Sequence, residues 1–564
     1  MIKKAFIFVT LILLLTSTTI LGILFFKSVD PHNVIKAFSP GEVNIVIEDK
    51  PIKIDAHPII TGEKIYIPVE ILKEYIYENI KLDEKNDRLY VNIEKPYFRL
   101  ETEELDKRIK DGIKLNFLTR KFNNIHYLNI KGLEKVFGIS LHYAKASKIL
   151  TIDKVEDERK VGTIKEKTYL RPRKSSFSFW MDKLSVGSKV MVFDNEGKWV
   201  KVRTDKGYIG YILNRKVDVQ RISDGTDKKL NSVREDVEFK NKINLVWDHV
   251  YKYSSDLSKE EKIEGLNVIS PTWFSVVEPN GYIENKGDIE YVKDAHEKGY
   301  MVWGLIDNSF NKDLTHKILK DKEAQENVIN QILVYSSIYD LDGINIDFEN
   351  VYYEDKDRLT KFVDKLTKEL KKQNLIVSMD MTVPSSSLNW SKFYDREKLG
   401  KIVDYCMVMT YDEHWASSPK SGSVASIGWV ERGIQKTLKY IPKEKLVMGV
   451  PFYTREWEEV KLRNGRVKVR SKALSMEKVE ERIKEYNLKP VWLEETGQYY
   501  IEYTKEGKKY RIWIEDERSI KLKSLLIHKY NLAGVASWRK GFEKENVWQV
   551  LNDTINRDSQ LVMN

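Results

Sequence analysis

The sequence predicts a multidomain chain whose C-terminal part is an α/β barrel of eight strand–helix units. Three observations predict it. From about residue 240 onward, short apolar runs alternate with amphipathic helical stretches, the mark of a parallel α/β array. Eight such units fit into roughly 310 residues, the usual size of a (β/α)8 barrel with an insertion. Polar and aromatic side chains gather just past the C-terminal ends of the apolar runs, where a barrel of this kind opens to solvent. At 564 residues the chain is too long for one core, so further modules must precede the barrel.

The chain starts Met1-Ile-Lys-Lys, continues over residues 5–26 without a charge, and meets Lys27. That stretch is long enough to cross a bilayer, and Lys3 and Lys4 place the N-terminus inside, so the remainder is expected outside the membrane. The alternative is a cleaved signal segment and a secreted product, but cutting near Ser17 or Gly22 would leave Ile-Leu-Phe-Phe exposed at the new terminus. Residues 1–30 are therefore read as a retained anchor. Charged residues make up 32% and hydrophobic residues 41%, the balance of folded soluble domains. The net charge of +10 is spread through mixed-sign stretches, which favours loose attraction to an anionic surface such as a cell wall or lipid and gives no sign of a nucleic-acid motif. A single cysteine, Cys406, lies in an apolar run, so no intramolecular disulfide forms and core packing is its expected role.

Residues 31–157 read as a small α+β module with an internal echo. Strand, helix and strand patterns at 64–69, 71–76 and 88–93 recur at 125–130, 133–137 and 148–152. This order resembles the module named after the N-terminal domain of copper amine oxidases, found as a stalk in exported bacterial proteins. His57, His126 and His142 stand singly, so no metal is expected. Residues 158–222 are all-β by the same reading, with short β-branched and aromatic runs between Gly and Asp/Asn turns. Their order is similar to bacterial SH3-like β-barrels, which bind wall peptides, and Trp199, Tyr208 and Tyr211 are either a groove or core. A polar linker follows over 223–239.

The barrel occupies 240–555, with strands expected at 243–247, 266–270, 300–306, 343–349, 375–379, 405–410, 445–450 and 533–538, and helices at 325–338, 356–373 and 518–530 among those between them. Between the seventh and eighth strands, Arg463-Asn-Gly-Arg466 and Lys505-Glu-Gly-Lys508 signal hairpin turns of a small β-rich insertion at about 458–512.

The fourth strand carries Leu341-Asp-Gly-Ile-Asn-Ile-Asp-Phe-Glu-Asn350. Alternation puts Asn345, Asp347 and Glu349 on one face and Ile344, Ile346 and Phe348 on the other. Neighbours on one face sit about 6.6 Å apart, close enough for their titrations to couple. Because the apolar face demands burial, the acidic face must line a second enclosed space, the mouth of the barrel. Trp247, Trp273, Asn308, Met409, Tyr411, Asp412, Arg455 and Trp538 fall at or just beyond other strand ends. Aromatic faces suit the apolar C–H surfaces of sugar rings, and polar groups read hydroxyl and amide edges.

Asp342-Gly-Ile-Asn345-Ile-Asp347-Phe-Glu349 resembles the DGxDxDxE signature of glycoside hydrolase family 18, the chitinase-like TIM barrels, with Asn345 standing where the pattern has its middle Asp. Met409-Thr-Tyr411-Asp412 is similar to the family's sixth-strand MxYD, and Trp538 matches the eighth-strand tryptophan. Ser270-Pro-Thr-Trp-Phe274, Tyr411-Asp-Glu-His-Trp415 and Ala533-Gly-Val-Ala-Ser-Trp-Arg539 look most like spore-associated and wall-associated N-acetylglucosaminidases of Gram-positive bacteria. The resemblance implies retaining hydrolysis assisted by the substrate, without a metal or cofactor, on a polysaccharide of peptidoglycan or chitin type. It makes Glu349 the acid, Asp347 the partner of the sugar's acetamido N–H, Tyr411 a hydrogen-bond donor to the acetamido oxygen, Asp412 an orienting group and Trp538 the floor. A non-catalytic sugar-binding protein on the same barrel is the alternative, though such proteins usually lack the acid. Because an amide at Asn345 cannot take a charge, Asp347 is expected to stay ionised to lower pH than with an Asp beside it.

Overall fold

The computed structural model describes residues 9–10, 12–17, 19, 27–93, 112–155, 158–195, 197–223 and 242–556. The expected anchor at residues 1–30 falls largely outside the described residues, and the linker at 223–239 almost wholly so. Among the described residues no helix is long and apolar enough to cross a membrane. The chain divides into two compact units, Met1–Arg99 with Leu118–Asn231, and Leu100–Phe117 with Ser232–Asn564.

Within the first unit the two halves of the sequence echo are interleaved. Strand Lys64–Pro68 pairs antiparallel with Ile125–Asn129, and Asn44–Ile47 pairs parallel with Ile149–Lys154. The two halves thus share a ladder through these strands, while Arg88–Ile93 pairs with Ile80–Asp83. Residues 158–223 form a five-stranded antiparallel sheet in the order Ile209–Leu213, Trp199–Thr204, Lys189–Asp194, Glu158–Ile164, Val217–Ser223. Leu170, Val190, Val200, Val202 and Ile212 fill its core, with Tyr208 packed against them.

The second unit holds the barrel. Its strands are β1 (Ile243–Asp248), β2 (Val268–Val276), β3 (Met301–Asp307), β4 (Gly343–Asp347), β5 (Ile376–Thr382), β6 (Tyr405–Met409), β7 (Leu446–Pro451) and β8 (Gly534–Trp538). All are parallel in the order of the chain, and β8 pairs with β1 to close the cylinder. A short strand, Ile283–Asn285, adds antiparallel to β2. The lumen is packed by Ile243, Leu245, Trp247, Val268, Trp303, Leu305, Met407, Val447 and Ala536. These are alternate residues of their strands, the inward set that the period of two requires. Gly343 shares this face because a side chain there has no room. A Cβ would sit 2.6 Å from the Ile376 carbonyl oxygen and 2.9 Å from the Trp303 ring.

The helices cover the outside. α1 (Lys322–Tyr339) starts where the Asp321 side chain accepts from the backbone N–H groups of Glu323 and Ala324, and α2 (Lys356–Lys371) buries Leu359, Phe362, Val363, Leu366 and Leu370 at helical spacing. α3 (Glu517–Lys529) opens with a reciprocal capping box between Asp516 and Ser519.

Between β7 and β8 the insertion forms a five-stranded antiparallel sheet, in the order Val467–Ser475, Tyr453–Lys461, Lys508–Ile514, Gln498–Lys505, Val491–Leu493. Both expected hairpins are present, the second turning through left-handed Glu506 and Gly507. The sheet is joined by a helix, Met476–Glu485, capped by Ser475, whose Val479 packs on Leu474, Ile501, Ile512 and Ile514. The insertion is therefore α+β, since its sheet has an apolar face that needs a cover.

Glu515 and Lys523, both with fully buried side chains, pair at 2.9 Å where the insertion returns to α3. Gln498 Nε2 and Ser519 Oγ each donate to the same carboxylate at 2.7 Å. Lys523→Met should destabilise this unit by about 3–5 kcal/mol, because it strands a buried carboxylate. The midpoint of urea unfolding measures it, and an unchanged midpoint contradicts the assignment.

Candidate active site

Asn345 and Asp347 lie on the lumen face of β4, in register with Leu305 and Asp307 of β3, and Asn345 also faces Ser378 of β5. Glu349 follows just past the strand end. Its backbone is held at two points by Asn308, whose Oδ1 accepts from the Glu349 N–H at 3.0 Å while its Nδ2 donates to the Glu349 carbonyl at 2.7 Å. The Tyr394 hydroxyl donates to the Phe348 carbonyl at 3.0 Å. Asn350 then takes a left-handed conformation with φ of 50°, which an Asn tolerates, and turns the chain away from the mouth directly after the acid.

Asn345 is completely buried, and its amide is fully used. The Trp247 Nε1–H donates to Asn345 Oδ1 at 2.9 Å, and Asn345 Nδ2 donates to Ser378 Oγ at 3.0 Å and Asp380 Oδ1 at 2.9 Å. An indole nitrogen only donates, so the amide oxygen must face Trp247 and its NH2 must face β5.

Charge is concentrated around this amide. Burial and the negative charge of Asp412 push the Glu349 carboxyl up to about 7. Burial, then repulsion from Glu349, Asp380 and Asp307, drives Asp347 well above the usual carboxylate range. Asp380 is raised in the same direction by burial, and its bond from Asn345 offsets only part of that. Asp347 is 8% exposed, and its Oδ1 accepts no hydrogen bond from the described residues. Such an atom normally awaits a partner from outside the chain.

On the opposite wall Tyr411 sets its ring edge-on to Trp247 and Tyr453, at 6.4 and 6.3 Å between centroids. Asp412, left-handed with φ of 58°, accepts from the Tyr453 hydroxyl at 2.5 Å and from Arg455 Nη2 at 3.1 Å. Trp538 lies 6.0 Å from Trp247, and half-buried Met409 ends β6. Trp390 and Trp415 stand exposed on the segments after β5 and β6. Elsewhere His316, Glu354 and Asp355 lie close together, and His316 Nδ1 and Arg358 Nη1 each contact the Asp355 carboxylate at 2.7 Å.

Glu349, Asp347, Tyr411, Asp412, Arg455, Met409 and Trp538 thus converge on one mouth. Four other sugar-contact candidates, Trp247, Trp273, Asn308 and Asn345, do not reach it. Trp273 is fully buried on the helix side of β2, donates to Ser254 Oγ at 2.9 Å and packs on Tyr291 and Tyr339. Alternation from Val268 and Ser270, which face the lumen, already puts Trp273 on the outer side, and the irregularity between Thr272 and Phe274 changes the face only of the residues that follow. Trp247 and Asn345 are buried and spend their polar atoms on the protein, so they position the site, as Asn308 does. With Asn345 in place Asp347 is still pushed well above the usual carboxylate range, by burial first and then by Glu349, Asp380 and Asp307. Asp307 and Asp380 escape the sequence reading because β3 and β5 each run past the expected strand end. In Ile376-Val-Ser-Met-Asp380 the polar alternation that singles out β4 is nonetheless present.

A closed parallel barrel with a raised acid and a crowded carboxylate pair at its C-terminal mouth defines the class of protein, a carbohydrate-active barrel. The chain belongs to the glycosyl hydrolases family 18, whose family model matches residues 307–542. It is 30% identical over 300 residues to the Bacillus subtilis (strain 168) protein described as "Uncharacterized glycosylase YvbX", covering 51% of this chain and 84% of that one. It is 28% identical over 256 residues to the "Cortical fragment-lytic enzyme" of Bacillus cereus, covering 44% of this chain and 58% of the relative. Of solved structures, the Bacillus megaterium QM B1551 spore cortex-lytic enzyme SleL shares the fold with a TM-score of 0.51 at 22% identity, covering 57% of this chain and 76% of that one. Membership supports glycan hydrolysis.

Asp412→Asn removes the charge that helps raise Glu349, so the basic limb of the rate–pH profile should move below its wild-type position near pH 7. Glycan turnover measured across pH tests this, and an unmoved limb excludes Asp412 as the cause.

Proposed function

We propose that the protein cleaves β-1,4 bonds of N-acetylglucosamine-containing glycans, most fittingly peptidoglycan, by substrate-assisted retaining hydrolysis. One observation carries the reading: a buried Asp347 oxygen without a hydrogen-bond partner among the described residues lies beside an acid held near neutrality.

Glu349 gives its proton to the glycosidic oxygen as the bond to the anomeric carbon breaks. The acetamido oxygen of the same sugar bonds to that carbon from the other face, forming a cyclic cation. Asp347 accepts the acetamido N–H through its free oxygen and offsets the positive charge, and Tyr411 donates to the acetamido oxygen. Water then adds to the anomeric carbon, passes its proton to Glu349, and reopens the ring with retained configuration. Trp538 offers a face beneath the sugar, with Asp412 and Arg455 at its edge.

Peptidoglycan is favoured over chitin by the two N-terminal modules, read as a copper-amine-oxidase-N-terminal-like stalk and an SH3-like wall-contacting domain. The net charge of +10 and the cortical fragment-lytic relatives point the same way. The uncharged N-terminal stretch supports a membrane-anchored or secreted enzyme working on the cell wall.

Glu349→Gln should lower kcat on purified glycan strands by about 10²–10⁴ while glycan binding persists. Mass spectrometry should find N-acetylglucosamine at the new reducing ends with the wild-type protein. Intact strands after wild-type digestion refute the enzymatic reading.

A further inference from the structure

Beside Trp538 the mouth carries two cations that no carboxylate answers. His249, Val250 and Tyr251 follow directly on β1, and Arg539 follows directly on β8. The His249 ring lies 6.1 Å from Trp538 and 4.4 Å from Tyr251 between centroids, and Tyr251 is 75% exposed, so this edge is open to a ligand. The Arg539 guanidinium stacks 4.0 Å from the centre of the Phe542 ring, and its Nη2 donates to the Tyr251 hydroxyl at 3.4 Å. Lys286, just after the short strand Ile283–Asn285, donates from Nζ to the Val250 carbonyl at 3.1 Å. Burial, then the positive charges of Arg539 and Lys286, hold the His249 ring below its usual value, so both cations face the same ring. Arg539 and Lys286 are half-buried, and neither meets a carboxylate within ion-pair distance among the described residues. Other cations of the mouth are answered: Arg455 pairs with Asp412 at 3.1 Å and Lys540 with Glu260 at 2.7 Å. The carboxylates within electrostatic reach are engaged as well. Asp248 accepts from the Tyr291 hydroxyl at 2.6 Å, and Asp307 accepts from Ser275 Oγ at 2.8 Å and the Ser309 N–H at 2.7 Å.

A half-buried cation has given up part of its hydration, and an anion arriving from outside restores what the protein does not supply. Chitin has no anion to offer, because each of its sugars is neutral. A peptidoglycan strand offers one at every second sugar, where the 3-O-lactyl group of muramic acid ends in a carboxylate, either free or extended by a stem peptide with carboxylates of its own. When N-acetylglucosamine lies on Trp538, both neighbouring sugars of such a strand are muramic acids. We propose that Arg539 and Lys286 form a specificity-determining subsite, which binds a carboxylate on the 3-O substituent of the sugar adjoining the one on Trp538. Arg539, its planar fork held by Phe542 and Tyr251, takes the carboxylate directly, and Lys286 adds a point charge across the His249–Tyr251 pair. The subsite presupposes the glycan cleavage proposed above, and it deepens that reading by separating acidic strands from neutral ones.

Two kinds of peptidoglycan strand, one stripped of stem peptides by an amidase and one intact, each compared with a copy whose carboxylates are converted to methylamides, test the subsite. With the wild-type protein KM should be about tenfold lower on a charged strand than on its amidated copy, and added NaCl should narrow the gap. Arg539→Gln should bring that ratio close to one, and Lys286→Gln, which can still donate to the Val250 carbonyl, should cut it about threefold. Arg539→Lys keeps the charge and should retain most of the ratio. A ratio seen with stripped strands assigns the lactyl carboxylate, and a ratio confined to intact strands assigns the stem peptide. A wild-type ratio near one on both kinds, or a ratio that survives Arg539→Gln, overturns the proposal, because a structural role for Arg539 changes KM on charged and amidated strands alike. Calorimetry of the same strands with Glu349→Gln, alone and combined with Arg539→Gln, reads the preference as Kd without turnover. Failure of the wild-type protein to hydrolyse any strand counts against the reaction, while the calorimetric ratio still decides the subsite.

Discussion

Several carboxylic acids packed into a dry cylinder repel one another, and the catalytic end of this molecule depends on how that repulsion is distributed. Asp307, Asp347, Glu349 and Asp380 approach the lumen or its rim from three consecutive strands, each driven upward in pKa chiefly by burial. Isolated, any of them would be a liability of several kcal/mol in the core. Burial and the charge of Asp412 keep a proton on Glu349 near neutral pH, which a solvated glutamate cannot do. The Trp247–Asn345–Asp380 chain spans three strands and fixes where the repulsion falls, so the barrel acts as both scaffold and titration control.

The apolar layer of the lumen makes this possible. Trp303, Leu305, Met407, Val447 and Ala536 seal the cylinder below the acids, and Gly343 gives up its side chain to let Trp303 lie flat against β4. Among the described residues the acids open toward the mouth, where Trp538 and the first strand of the insertion stand. Arg455 and Tyr453, from the first strand of that insertion, close on Asp412. In this way a segment added between β7 and β8 reaches the electrostatics of Glu349 through one shared carboxylate.

Much of this was legible in the sequence, because a parallel barrel writes its period into the chain. All eight strands fall within a few residues of where the apolar runs place them, and the alternation around Asp347 separates lumen from outer face. What the sequence hides is depth. Trp247 and Trp273 look like neighbouring strand-end aromatics, yet one is a buried hydrogen-bond donor in the lumen and the other belongs to the helix layer. Alternation along one strand cannot show how far a side chain lies below the rim. Asp380 was obscured differently, since its partner is an amide on the preceding strand and no spacing rule connects them. The echo in the N-terminal unit predicts its elements but not their interleaved pairing, because pairing across a sequence gap is decided by burial in three dimensions.

That interleaving has a mechanical meaning. The entry strand Asn44–Ile47 and the exit strand Ile149–Lys154 lie side by side in the same direction, so a pull on the two ends of the module slides one along the other. Sliding loads every rung of the ladder together, whereas peeling would break rungs one by one. A module so threaded resists a pull along its two ends better than one whose end strands could be peeled apart.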